Sequence, residues 1–329
     1  MHESDRDTDE VSSSKIGKEV EMTDIQKANI ESILAEIPEA ASEGAADWGN
    51  PFPLALSDCE TVLVLGCGAG RDAFVAGKLA GPNCRVIGIE FSEDLVKKAN
   101  EIKEELGANN VEFMQGCHMT LDGLGIKSDS VDLVIANGAV SHAPNTQTQL
   151  NTIYRVLKFG GEFYMSDIFV DRRTPEDKKT DKMKELGLAG ALYIEDYRRF
   201  CAIAGWPTIR CICTAVYKKE QPAEVEGWTY FVRTMRAYKI PGILEDLCEQ
   251  YDQFATYKGG IEGAPDYYDL DDHHRFMKDE PLSVCGNSCV MVEDTRVGKY
   301  FEIKGDRSVH SGPYPGCGNI PYSAEEVWE

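Results

Sequence analysis

The chain has 329 residues, with 34 lysines and arginines against 56 aspartates and glutamates, so its formal net charge is −22. An acid excess of this size repels nucleic-acid backbones and anionic membrane surfaces, and no apolar run approaches the roughly 20 residues of a membrane span. The first residues form neither a basic nor an apolar signal region, and eleven cysteines are scattered along the chain. We therefore expect a cytoplasmic protein with reduced thiols.

Residues 1–22 are acidic and almost free of large apolar side chains, which predicts a disordered arm. Thr23 then has the spacing of a capping box, and apolar residues recur with helical period up to Pro38. We expect a helix over this second segment.

From Thr61 onward, short apolar runs alternate with amphipathic helical patterns. The predicted strands are Thr61–Leu65, Arg85–Ile89, Val111–Met114, Val131–Ala136 and Glu162–Ser166, and the predicted helices cover residues 69–79, 93–106 and 146–157. Such alternation predicts an α/β fold with a doubly wound parallel sheet, in which the carboxyl ends of the strands meet at one ligand-binding edge.

The alternation of strand and helix patterns ends after Cys201 and Trp206. Ile209–Val216 and Val225–Val232 read as two further strands, and the remainder is rich in Gly, Pro and Tyr. We therefore expect a sheet domain over residues 23–220, a smaller C-terminal α+β domain over residues 221–320, and a tail over residues 321–329.

The first predicted strand runs directly into Gly66, Gly68 and Gly70, and helical spacing follows. This junction brings backbone amides and a helix N-terminus against a polar ligand. The G-x-G-x-G spacing differs from the G-x-G-x-x-G of a dinucleotide pyrophosphate site. It is typical of S-adenosylmethionine (SAM) sites, where the turn holds the amino-acid end of the cofactor, although glycine turns after strands also occur for steric reasons alone.

The other strand ends supply matching polar and apolar groups. Glu90 ends the second strand, where a carboxylate can accept both ribose hydroxyls. The loop after the third strand offers walls for an adenine ring, and Asn137 ends the fourth strand, near the expected methyl group. The candidate cofactor residues are Gly66, Cys67, Gly68, Gly70, Arg71, Asp72, Glu90, Phe91, Cys117, His118 and Asn137.

Several segments together resemble arsenite methyltransferases, the SAM-dependent enzymes that methylate trivalent arsenic. The segments are Gly66–Asp72, Tyr154–Asp167, Gly190–Tyr193, Leu270–His274, Val284–Asn287 and Gly305–His310. The likeness runs from about Trp48 to Cys317. It implies a Rossmann-like SAM-methyltransferase sheet and SAM as the cofactor.

The chain departs from the family at the residues that carry its chemistry. In the family, three cysteine thiolates hold arsenic, a soft ion that prefers soft ligands. The corresponding positions here are Asn50, Gly138 and Gly187, so we expect a more open substrate pocket, with Tyr193 as a further contact. Val64 stands where SAM sites usually carry an acid, while Asp72 and Glu90 remain, so the effect of Val64 on SAM affinity stays open.

His142 is the candidate catalytic base, with Asn137 beside the transferred methyl group. A base is needed only when the nucleophile carries a proton that must leave, and a locally hydrogen-bonded loop histidine is the alternative. The segment Asp271–His274 suggests a metal site at first sight, but adjacent histidines diverge and no second ligand cluster has the required spacing. We expect a hydrogen-bonding role there and no metal. We also expect the cysteines to be dispersed in the core, the alternative being a thiol site formed by Cys211, Cys213, Cys285 and Cys289.

These observations predict a SAM-dependent methyltransferase that acts on a small molecule, such as a thiol, an amine or a carboxylate-bearing metabolite, and that binds neither nucleic acid nor membrane. One alternative is arsenite methylation through relocated cysteines. Another is a catalytically silent SAM-binding or regulatory protein. The oligomeric state stays open.

Overall fold

The computed structural model describes residues 23–217 and 222–315. The predicted arm over residues 1–22 and the tail over residues 321–329 lie outside these residues. The helices are α1 (Asp24–Glu36), α2 (Arg71–Ala80), α3 (Glu93–Leu106), α4 (Thr146–Val156), α5 (Asp181–Glu185), α6 (Ile194–Ala204) and α7 (Gly286–Glu293). The strands of the first part are β1 (Thr61–Leu65), β2 (Arg85–Glu90), β3 (Val111–Gln115), β4 (Val131–Asn137), β5 (Leu157–Val170), β6 (Leu192–Tyr193), β7 (Arg210–Val216) and β8 (Tyr230–Tyr238).

One large sheet organises the chain. Its strand order is β3-β2-β1-β4-β5-β8-β7, and β6 pairs with β5 beyond the end of β4. Strands β1 to β5 are mutually parallel, whereas β8 runs antiparallel to both of its neighbours. The predicted doubly wound α/β sheet is therefore confirmed, and its carboxyl edge gathers the loops after β1, β2, β3 and β4.

Two apolar cores cover the two faces of this sheet. Side chains of α4 and α6 pack on one face with Leu63, Val134 and Phe163. Side chains of α1 and α2 pack on the other with Val64 and Ile135, the alternate residues of the same strands.

The remaining strands are β9 (Gln253–Tyr257), β10 (Tyr267–Asp269), β11 (Arg275–Met277), β12 (Pro281–Val284) and β13 (Phe301–Lys304). They form a three-stranded sheet of order β12-β9-β13 and the hairpin β10-β11. With α7 they enclose a third core around Tyr257, Tyr268 and Phe276.

The second half of the main sheet differs from the sequence prediction. The strand expected over Val225–Val232 is instead Tyr230–Tyr238, and it lies within the main sheet, past the predicted domain boundary at residue 220. The strand expected over Glu162–Ser166 is the longer Leu157–Val170. Buried polar residues such as Arg233, Thr234 and Arg236 interrupt the apolar pattern from which these strands were predicted.

A buried ion cluster joins the main sheet to the C-terminal part. The Glu162 carboxylate is fully buried and pairs with Arg236 at 2.7 Å and with Arg296. Arg236 also donates hydrogen bonds to the Tyr268 hydroxyl and to the Leu270 carbonyl oxygen. Because Arg236 lies in β8 and Arg296 lies in the C-terminal part, their shared buried carboxylate links the two parts.

Candidate active site

The glycine turn forms the strand–turn–helix junction that its spacing predicts. Residues 66–70 connect β1 to α2, and Gly66, Gly68 and Gly70 all have positive φ. At Gly68 a side chain would begin 2.6 Å from the Glu43 carbonyl oxygen. Glycine is therefore required there both by the left-handed backbone and by the close approach of a neighbouring segment.

Glu90 faces this turn from the end of β2. Its carboxylate accepts hydrogen bonds from the Gly68 amide at 3.0 Å and from the Ser92 amide at 2.9 Å. Each oxygen uses one lone pair in this way and keeps another for a ligand hydroxyl. The position is compatible with the predicted ribose contact.

A second polar group lies where α2 begins beside the end of β4. Arg71 donates to one oxygen of Asp72 at 2.9 Å, and the Asn137 amide nitrogen donates to the other at 3.1 Å. Arg71 and Asn137 both also donate to the Ala46 carbonyl oxygen, at 2.6 and 2.9 Å. The Asn137 side-chain oxygen is buried without a hydrogen-bond partner among the described residues.

That unpartnered oxygen fits the amino end of SAM. A buried acceptor is normally satisfied, and an ammonium group beside Asn137 and the Asp72 carboxylate would supply the missing donor. Val64, at the position of the usual acid, is fully packed in the core, so Asp72 and Asn137 are the polar side chains available at this end.

The segment of residues 43–48 covers the glycine turn, and the sequence patterns did not indicate this. Its Glu43 carbonyl oxygen accepts from the Ala69 amide at 2.8 Å, and Asp47 pairs with Arg71 at 2.6 Å. The segment is short and has no strand or helix periodicity, so only contacts distant in sequence reveal its role.

The residues predicted around the nucleoside differ in accessibility. The Cys67 thiol is buried in the core, and burial raises its pKa, so only the backbone of Cys67 is available to a cofactor. Phe91 is 78% exposed beside Glu90, and Cys117 is half-buried after β3. Burial lowers the pKa of His118, with Glu90 opposing and His142 reinforcing this shift.

Trp48 occupies the space that the sequence predicted to be open. A side chain at Gly138 would begin 2.9 Å from Cδ1 of the indole and 2.7 Å from the Ala46 methyl carbon. A side chain at Gly187 would begin 3.4 Å from Cζ2 of the same indole. The expectation of a more open pocket is therefore wrong at Gly138, where the indole and Ala46 occupy the space, while at Gly187 the indole lies at ordinary contact distance.

The other two predicted substrate residues lie apart from this contact. Asn50 accepts a hydrogen bond from the Phe52 amide at 3.0 Å and lines a cleft of about 60 Å³ with Tyr164, Thr234 and Arg236. Tyr193, in β6, packs under the Arg173 guanidinium at 5.6 Å. The Asn50 side chain thus lines a separate cleft on the α1/α2 face of the sheet.

The loop after β4 carries His142, and hydrogen bonds to Asp167 hold its backbone. The Asp167 carboxylate is fully buried and accepts from the Val140 and Ser141 amides, each at 3.0 Å. His142 is exposed, and its Nδ1 lies 2.6 Å from the Gly138 carbonyl oxygen. Since a carbonyl only accepts, Nδ1 carries the proton and Nε2 of the neutral ring is the basic nitrogen.

The described cysteines do not form a soft-ligand cluster. Ten of them are free, and within the described residues no three cysteine sulfurs come within 4.8 Å of one another. Burial raises the pKa of Cys59, Cys201 and Cys211 to about 12 in each case. These thiols pack as small apolar groups.

Asp271 organises the segment that follows β10. Its carboxylate accepts from the backbone amides of His273 and His274 at 2.9 and 2.8 Å and from Nδ1 of His274 at 2.7 Å. Arg210 lies 3.5 Å away. Asp271, Asp272 and His273 have side-chain oxygen and nitrogen atoms within 4.8 Å of one another, but the hydrogen bonds and the adjacent guanidinium already compensate the Asp271 charge.

Comparison with known proteins places this geometry in a class. A family model described as a methyltransferase domain matches residues 56–233, which is more than half of the chain. The glycine turn, Glu90 and the Asp72–Asn137 pair lie inside that range. The fold and the site therefore define a SAM-dependent methyltransferase.

The relatives then narrow the class. The chain is 32% identical over 308 residues to an arsenite methyltransferase of Aquipseudomonas alcaligenes, covering 89% of this chain and 87% of the relative. It is 30% identical over 280 residues to the arsenite methyltransferase of Mus musculus, covering 82% and 73%. The chain belongs to the arsenite methyltransferase family.

A solved structure agrees with this assignment. The crystal structure of an arsenic(III) S-adenosylmethionine methyltransferase from Chlamydomonas reinhardtii superposes with a TM-score of 0.82 at 36% identity, covering 87% of this chain and 98% of that one. The predicted family and cofactor are thereby confirmed. Within the described residues, no helix has the length and apolar character needed to cross a bilayer.

Proposed function

We propose that this methyltransferase transfers the methyl group to a small organic acceptor and not to arsenite held by three thiolates. The contact of the Trp48 indole with Gly138 and Gly187 carries this proposal. An arsenic site needs soft ligands at these positions, and here an aromatic ring stands against bare backbone. Gly138 also has φ of +68°, a conformation that a cysteine would adopt only with strain.

The surroundings of Trp48 favour an organic acceptor. The indole packs with Tyr217 at a ring distance of 5.9 Å and joins an apolar cluster that contains Ile168, Met183 and Leu188. Such a wall suits the apolar part of a small organic molecule. Of the described cysteines, Cys213 lines the cleft next to Asn50, but one thiol cannot supply three sulfur ligands.

The polar groups already described would bind the cofactor. Glu90 would hold the ribose, and Asp72 with Asn137 would hold the amino end of SAM, against the turn of Gly66, Gly68 and Gly70. When bound, SAM supplies an activated methyl group on a sulfonium sulfur. The protein's task is then to align the acceptor and to exclude water.

His142 would act as the general base for an acceptor whose nucleophilic atom carries a proton. Its Nδ1–H donates to the Gly138 carbonyl oxygen, so Nε2 accepts the proton that the acceptor loses. Asp167 would act as a positioning residue, since its carboxylate holds the Val140 and Ser141 amides immediately before His142.

The test has two stages on the full chain. Calorimetric titration with SAM establishes cofactor binding. The protein is then incubated with methyl-labelled SAM and pools of small thiols, amines and carboxylates, and labelled products are identified by mass spectrometry. We expect SAM binding and at least one labelled organic product, and we expect His142→Gln to reduce its rate while the exposed control His310→Gln does not. Failure to bind SAM at millimolar concentration by folded protein would refute the proposal.

A further inference from the structure

Arg233 differs from the other buried cations of the described chain in having no anionic partner. Arg210, Arg236 and Lys239 have an acid at 3.5, 2.7 and 2.6 Å respectively. Arg233 is only 5% exposed, and within residues 23–217 and 222–315 it forms no ion pair. Its Nε is buried without a hydrogen-bond partner.

The neighbours of Arg233 fix its guanidinium without neutralising it. The group lies over the Phe231 ring at 5.2 Å and 6.0 Å from the Phe169 ring. Across the sheet it is the register partner of Asp167, whose carboxylate is committed to the backbone amides of residues 140, 141 and 168. The aromatic rings orient the plane of the guanidinium, but they offer no hydrogen-bond acceptor for its N–H groups.

A buried charge without a counter-ion is unfavourable, and an anion beside the guanidinium would relieve that cost. We infer that Arg233 is the anchor of a binding site for a small carboxylate with an apolar or aromatic body. One guanidinium fork matches one carboxylate through two parallel hydrogen bonds. Phe169 and Phe231 supply the apolar contact.

A carboxylate fits better than a phosphate group or a polyanion. The site holds a single cationic side chain, and the net charge of the chain is −22, which disfavours highly charged anions. Phosphate sites in proteins usually combine several donors or a helix N-terminus.

This site is distinct from the proposed acceptor site. Successive residues of a strand point to opposite faces, and Val232, next to Arg233, packs in the cluster that contains Trp48. Arg233 therefore faces the α4/α6 side of the sheet, with Asp167 and Phe169. The inference goes beyond the proposed function and does not depend on the identity of the methyl acceptor.

The experiment titrates the full chain with benzoate by calorimetry at constant ionic strength, with benzyl alcohol as the neutral analogue and inorganic phosphate as the alternative anion. We expect benzoate to bind the wild type and Arg172→Met equally, because Arg172 is exposed and is already paired with Asp171. We expect Arg233→Met to bind benzoate about tenfold or more weakly. Benzyl alcohol should not bind measurably.

Three results would overturn the inference: no benzoate binding to the wild type, equal binding to Arg233→Met, or a preference for phosphate. Arg233→Lys covers the case in which Arg233→Met fails to fold, because it keeps the charge and loses the fork, and it should bind benzoate more weakly than wild type. Glu220 lies in the β7–β8 connection, outside the described residues. Benzoate binding to Glu220→Gln but not to wild type would show that the anion is the chain's own, which also overturns the inference.

Discussion

Cδ1 of the Trp48 indole lies 2.9 Å from the point where the Cβ of a side chain at Gly138 would stand. This contact separates the chain chemically from the thiolate-ligand pattern of the family that it resembles. In the proposed function, the backbone of the loop after β4 is part of the wall that faces the acceptor.

Substitution of Gly138 by alanine should destabilise the protein more than substitution of Gly187. Both residues have φ near +70°, so both changes carry the left-handed strain of about 1–2 kcal/mol. Only Gly138→Ala also drives a methyl group into Trp48 and Ala46, which adds roughly 1–3 kcal/mol of overpacking. Urea unfolding of both variants measures the difference, and equal free energies of unfolding would contradict the tight contact.

Asn137→Ala should weaken SAM binding by about tenfold or more. The change removes the unpartnered buried oxygen and the hydrogen bond to Asp72, and interactions with charged groups contribute about 1.5–3 kcal/mol. Calorimetric titration with SAM checks this. Asn100→Ala is the matched control: the Asn100 amide donates to the Val96 carbonyl oxygen within α3, and this variant should bind SAM as the wild type does.

Asp167→Asn should lower kcat for the acceptor found in the screen while leaving the dissociation constant of SAM nearly unchanged. One carboxylate oxygen accepts from the Val140 and Ser141 amides and the other accepts from the Ile168 amide. An asparagine amide has a single oxygen, so its NH2 group must face one of these donors, and the set of three hydrogen bonds cannot be kept. The pH dependence of kcat should change in the same direction as in His142→Gln. A variant that loses stability but keeps the wild-type pH profile would show that Asp167 has only a structural role.

Glu162→Gln should lower the free energy of unfolding by about 3–5 kcal/mol, because it leaves Arg236 and Arg296 buried without their shared carboxylate. The control is Glu112→Gln, which breaks an exposed pair with Arg85 at 2.7 Å and should change stability by about 1 kcal/mol or less. Urea unfolding compares the two, and a loss of the same size in both would contradict the role given to the buried cluster.

Asp271→Asn should destabilise the protein at neutral pH, and the difference from wild type should shrink in acid. Burial alone would raise the pKa of Asp271, but His274, Arg210 and the backbone amides outweigh burial and hold it below the ordinary value. A depressed pKa contributes stability above the unfolded-state value of about 4, and this contribution is lost as the pH falls below it. Urea unfolding of both proteins at pH 7, 5 and 3.5 measures the difference in free energy of unfolding. A difference that grows as the pH falls would contradict the prediction.

The main sheet and the cofactor turn could be predicted from sequence because both depend on local patterns. The apolar run of β1 and the three glycines after it specify a strand and a left-handed turn. The bounds of β8 could not be predicted in this way, since Arg233 and Arg236 are buried and interrupt the apolar pattern.

The acceptor side depends on contacts between distant residues. Ala46 meets Asn137 across 91 positions of the chain, and Asp167 meets Val140 across 27. No periodicity in residues 43–48 indicates that Trp48 fills the space at Gly138. The fold, the family and the cofactor could therefore be predicted from local sequence patterns, whereas the packing around Trp48 could not.

The identity of the methyl acceptor is best tested in one competition measurement. The full chain is incubated with methyl-labelled SAM, arsenite, a thiol reductant and the organic acceptor pool, and the label in organic and arsenic products is quantified by mass spectrometry. We expect the label in an organic product and methylated arsenic no higher than in the protein-free control. Methylated arsenic above that control, with no labelled organic product, would contradict the proposed acceptor class.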